Sequence, residues 1–98
     1  MAADDKLRLD AVDDRIVLAG ELDLHTAPML EAELTRASSD PIEIELADVT
    51  FIDSSGLRVL VAERQKRGQD GLVLRSPSAV VRRLLEVTGL DGHLRVLA

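Results

Sequence analysis

Between residues 42 and 46 the chain reads I-E-I-E-L, an unbroken alternation of aliphatic and acidic side chains. Successive side chains of a β-strand leave opposite faces of the sheet, so this segment buries one face and shows glutamate on the other. A sheet built on such a strand is packed on one side and wet on the other. The rest of the chain has to supply helices for the packed side and further strands for the flanks.

Both are legible. Leu7 and Leu9 alternate with Arg8 and Asp10, and after V-D-D-R the run Ile16 to Ala19 ends at Gly20, which predicts two strands joined by a tight Asp13-Asp14 turn. From Thr26 the period lengthens. Met29, Leu30, Leu34 and Ala37 share one helical stripe, with Thr26 as cap, Pro28 in the first turn and S-S-D-P at 38 to 41 as the stop. Leu57, Leu60, Val61 and Arg64 form a second stripe ended by Gly68, followed by a short Leu72-Val73-Leu74 strand. Ser76 caps a third helix with Pro77 at its first position; its buried stripe is Val80, Val81, Leu84 and Leu85 and its stop Gly89. Leu94, Val96 and Leu97 make a last strand. This order describes an α/β domain whose later strands are joined by helical crossovers and run parallel, with the helices on one face and the Glu43/Glu45 face uncovered.

At 98 residues the chain makes one domain with one core, and 46% hydrophobic with 31% charged residues is the composition of a folded protein. A net charge of −6 disfavours phosphate backbones and anionic lipid surfaces as partners. The single aromatic, Phe51, is expected in the core and leaves no platform for stacking bases, so no nucleic acid is expected. The lack of cysteine removes disulfides, thiolate nucleophiles and sulfur-ligated metals, and His25 and His93 match no metal-ligand spacing, so neither metal nor cofactor is expected. The N-terminal M-A-A-D-D-K carries acid where a signal peptide needs base. No apolar run approaches the roughly 20 residues of a spanning helix, so the expected location is the cytoplasm without membrane insertion. Arg64, Lys66 and Arg67, like Arg82 and Arg83, are expected on solvated helix faces.

The stretch D-S-S-G at 53 to 56 sits where an apolar strand gives way to a helix, and in α/β domains the loops at the strands' carboxyl ends carry function. Three readings compete. Asp53 and the serines cap the helix. Alternatively one serine is a nucleophile, which requires a base that only His25 or His93 could supply, without the G-x-S-x-G elbow. Or Ser54, at a helix N-terminus where backbone amides favour negative charge, is a phosphoacceptor. A second acidic loop, E-L-D-L-H-T at 21 to 26, also follows an apolar strand, and it would bring Asp23 to the same end of the sheet if the two strands are neighbours.

G-E-L-D-x-x-T-A at 20 to 27, V-T-F-I-D-S-S-G-L at 49 to 57, and S-P at 76 and 77 with L-L-E-V-T-G-L at 84 to 90 together resemble the STAS family, specifically the bacterial anti-sigma-factor antagonists. The resemblance implies a STAS-type mixed sheet of about five strands with helices mainly on one face, spanning residues 1–98 as a single domain. It implies a regulatory binding protein rather than an enzyme. Its unphosphorylated form would bind an anti-sigma factor with serine kinase activity and free the sigma factor. Phosphorylation of Ser54 would release it, and a PP2C-type phosphatase would restore it. The implied partner surface comprises Asp23, Thr26, Asp53, Ser54, Ser55, Gly56, Leu57 and Arg58. An alternative is a STAS docking subunit of another complex, a lipid-transport ABC system or stress-sensor assembly, without a kinase cycle. Two departures stand out: Arg58 occupies a position where the family usually has glycine, and the family's usual last C-terminal helix has no counterpart before Ala98.

Overall fold

In the computed structural model, which describes residues 2–3 and 6–98, the N-terminal segment up to Leu22 is the hairpin that its alternation requires. A two-residue β1 (Ala2–Ala3) flanks β2 (Leu7–Val12), which pairs antiparallel with β3 (Arg15–Leu22) from Leu7↔Gly20 to Val12↔Arg15. Asp13 makes the turn with a φ of 55°, a left-handed conformation that aspartate tolerates. The acidic Asp4-Asp5 pair of the N-terminal reading lies outside the described residues. β3 runs on past Gly20, the expected stop. That glycine is needed for clearance: at φ 111° a Cβ would lie 2.1 Å from the Lys6 carbonyl oxygen.

From β3 onward the chain alternates. α1 (Ala27–Arg36), β4 (Ile42–Ile52), α2 (Ser54–Arg67), β5 (Leu72–Arg75), α3 (Ala79–Thr88), a 3-10 turn at Leu90–Gly92 and β6 (Arg95–Leu97) follow in order. Strand order in the sheet equals order in the chain, with β3 to β6 parallel. Gly68 and Gly89 end α2 and α3 at positive φ, as expected. Leu7, Leu9, Ile16, Leu18, Ile42, Ile44 and Leu46 from the strands join Leu30, Leu34, Leu57, Leu60, Val81 and Leu85 from the three helices in one core. On the opposite face Glu43 meets Arg75 at 3.1 Å and Arg15 at 3.8 Å, and Glu45 meets Arg15 at 3.7 Å. The expected mixed sheet with one packed and one charged face is present.

β4 departs from simple alternation. Between Glu45 and Asp48 it spends three residues where β3 spends two from Val17 to Ala19, and between Val49 and Phe51 it again spends one more than β3. Each extra residue is a bulge that reverses which face the following side chains take. The buried positions therefore fall at Leu46, Val49 and Ile52. Phe51, expected in the core, is 46% exposed, because the second bulge leaves it with the exposed Thr50 between the inward-facing Val49 and Ile52.

The start of α3 also differs. β5 pairs with β4 only from Ile42 to Glu45, so the carbonyls of Leu46 and Val49 have no ladder partner there. Ser78 supplies both bonds, its N–H donating to Leu46 O at 3.2 Å and its Oγ to Val49 O at 2.6 Å. Ser78 thus precedes the helix in place of Ser76, and Val80, assigned to the buried stripe, is exposed.

Candidate functional site

The carboxyl ends of β3 and β4 are neighbours, with Leu22 in register with Ile52. The Asp53 N–H donates to Leu22 O at 3.3 Å and carries the link one residue beyond the strands. The two acidic loops of the sequence therefore lie side by side at one end of the sheet.

In the D-S-S-G loop, Asp53 is extended and caps α2: its Oδ1 accepts from the N–H of Ser55 at 2.9 Å and of Gly56 at 3.2 Å. The capping reading and an exposed serine are thus compatible. Ser54 is the first helical residue and is exposed, Ser55 is half-buried, and Arg58 is exposed one turn on. Gly56 is buried against β3, where a Cβ would lie 2.7 Å from Leu22 Cγ and 2.8 Å from Leu22 O. Only glycine lets α2 come this close to the strand end. Leu57, also buried, anchors the first turn in the core.

The loop after β3 is an interlocked turn. Asp23 Oδ1 accepts from the N–H groups of His25 at 2.9 Å and Thr26 at 3.1 Å, while the Asp23 N–H donates to Thr26 Oγ1 at 2.9 Å. Thr26 Oγ1 donates to Glu21 O at 2.8 Å. Thr26 sits at the cap position of α1, yet its side chain makes no cap bond, being spent on the preceding loop. The other Asp23 oxygen lies 2.5 Å from Lys6 Nζ, delivered by the start of the hairpin. That hydrogen bond, helped by the amides of Thr26 and His25 and opposed by burial, lowers the Asp23 carboxyl to about 2.

The eight residues of the implied partner surface divide by burial. Ser54 and Arg58 are exposed, Asp53 and Ser55 partly so. Thr26 at 0%, Leu57 at 6% and Asp23 at 7% exposure, with the buried Gly56, shape the rim and present little or no surface of their own. Asp23 is also neutralised by Lys6, so it does not act as a bare acidic neighbour of Ser54. Three rim residues escaped sequence reasoning. Leu24 is 67% exposed between Asp23 and His25, Phe51 leaves the core through its bulge, and Lys6 arrives from just before β2, 17 residues upstream of Asp23. Only Leu24 carried a sequence signal, as an aliphatic inside a polar loop.

Neither histidine ring hydrogen-bonds Ser54 among the described residues, and His93 lines a hollow with Arg64 and Gln65, toward the far end of α2. No three metal-ligating side chains converge among the described residues, and no described helix is long and apolar enough to cross a membrane.

Residues 6–97 match the family model described as Mlab, STAS domain. The chain belongs to the STAS domain family. This STAS domain is 33% identical over 108 aligned residues to the anti-sigma-F factor antagonist RsfB of Mycobacterium tuberculosis, across 100% of this chain and 87% of that protein. The crystal structure of an anti-sigma factor antagonist from Mycobacterium paratuberculosis matches it with a TM-score of 0.73 at 30% identity, over 94% of this chain and 84% of the other. The phosphorylated form of the Bacillus cell fate determinant SpoIIAA shares the fold, with a TM-score of 0.63 at 21% identity over 94% and 91% of the two chains.

Proposed function

We propose that this STAS domain is an anti-sigma-factor antagonist switched by phosphorylation of Ser54. In the unphosphorylated form the rim around Ser54 docks on an anti-sigma factor that is also a serine kinase, and the sigma factor is released. Phosphorylation breaks the complex, a PP2C-type phosphatase resets it, and the cycle runs in the cytoplasm without catalysis by this chain.

The observation that carries the reading is the placement of Ser54: exposed, at the first position of a 14-residue helix, on a rim shared by the two acidic loops. Two relatives named as anti-sigma-factor antagonists support the role. Physics supports the switch. A phosphoryl group adds about −1.5 to −2 charges. The amides and dipole of α2 favour that charge by up to about 2 kcal/mol, so the domain tolerates it. A partner that covers the rim would instead bury the charge beside Asp53, at a cost of several kcal/mol.

Intact mass and peptide mapping of the protein from its own host, with and without phosphatase treatment, test the reading. A phosphate on Ser54 is expected, and an unmodified Ser54 under every growth condition overturns it. With the anti-sigma partner in hand, Ser54→Ala should bind constitutively, and Ser54→Asp at least about tenfold, or 1.4 kcal/mol, more weakly. Equal affinities by calorimetry would defeat the switch.

A further inference from the structure

Arg58 is a charge that the fold does not explain. It lies in the first turns of α2, where the helix dipole opposes a cation and the first turn has no acidic residue to offset it. It is exposed, and among the described residues its side chain makes no hydrogen bond or ion pair, whereas Arg15, Arg67 and Arg75 all do. Its distinction is spacing. Arg58 follows Ser54 by four residues, so the two side chains leave the same face of the helix with Cβ atoms roughly 5–6 Å apart.

We propose that Arg58 is the built-in counter-cation of a phosphoryl group on Ser54, closing on it across one turn of α2. This rests on the reading of Ser54 as the modified residue. The competing charges are committed elsewhere: Asp53 to the amides of Ser55 and Gly56, Lys6 to Asp23. The next cation of α2 is Arg64, ten residues from Ser54 and about 15 Å along the axis. A guanidinium offers the phosphate two parallel N–H donors, which a lysine ammonium does not. Modification therefore changes the rim twice: it adds an anion, and it draws onto the helix a cation that would otherwise be available to an acidic group of the partner.

The test uses the full chain with phosphoserine installed at position 54 during translation, read by phosphorus NMR through the second ionisation of the phosphate near pH 6. At low salt, Arg58→Gln should raise that pKa by about 0.3 units or more relative to the parent, the size of a helix-surface ion pair. Arg58→Lys should recover part of the shift, and Arg82→Gln on α3 should leave the titration unchanged. A shift below about 0.1 units for Arg58→Gln, or an equal shift for Arg82→Gln, overturns the proposal. Because the phosphate is installed without a kinase, such a failure leaves the proposed cycle standing. Absence of phosphate on Ser54 in the host would remove the cycle while the ion pair stayed measurable.

Discussion

A methyl group at Gly56 has nowhere to go, since one of the atoms it meets is the backbone oxygen of Leu22 at 2.8 Å, which cannot rotate away. Gly56→Ala should push α2 off the end of β3 and cost about 1–3 kcal/mol in urea unfolding. Gly92→Ala, where a Cβ meets nothing within 4 Å, should stay within about 0.5 kcal/mol of the parent. Asp23 makes a different kind of prediction. Its carboxyl is lowered from 3.8 to about 2 in the folded protein, first by Lys6. A depressed acid contributes stability that is fully present above its unfolded pKa and lost as pH falls through the folded one. The parent should therefore lose stability between pH 4 and pH 2 through this group, and Asp23→Asn should flatten that part of the profile in denaturant titrations across the window.

Elements are tied together by side chains that sequence clusters disguise. Arg67, in the basic run at the end of α2, is mostly buried. It pairs with the buried Glu63 and donates to the carbonyls of Ser39 at 2.8 Å, Ala37 at 2.9 Å and Leu34 at 3.3 Å. It thereby satisfies the end of α1, whose last carbonyls have no partner within the helix. The solvated face expected for this cluster holds for Lys66 and fails for Arg67. Arg67→Met should cost about 3 kcal/mol or more because it strands Glu63. Lys66→Met should change thermal stability by less than about 0.5 kcal/mol. The contrast shows where sequence reading succeeds. The I-E-I-E-L alternation, the Asp13-Asp14 turn and the stops at Gly68 and Gly89 are set by local backbone preference, and the structure follows them, whereas β3 passes through Gly20. Phe51, Arg67 and Ser78 answer to bulges and stranded carbonyls on other segments, which no window of neighbouring residues contains. The same division runs through the candidate site. Ser54 at the start of a helix was legible from D-S-S-G, whereas the Lys6 that neutralises Asp23 was not.

For the molecule as a whole, a phosphoryl group on Ser54 would touch neither the core nor the loop that seats α2, because Asp53 makes the cap bonds and Gly56 the close contact. Ser54→Asp should accordingly melt within about 2 °C of the parent, a difference of less than about 0.5 kcal/mol for a domain this size, with an unchanged circular dichroism spectrum. Any loss of binding would then come from the surface and not from unfolding. The sheet has one more property. Its strands stand in the order in which they occur in the chain, so each strand finds its hydrogen-bonding neighbour among residues already synthesised. A nascent chain emerging from the ribosome can add β4 to a finished hairpin, then β5, then β6, without holding an open gap for a strand still to come. Growth by accretion of this kind keeps unpaired edges brief during synthesis, when aggregation competes most directly with folding.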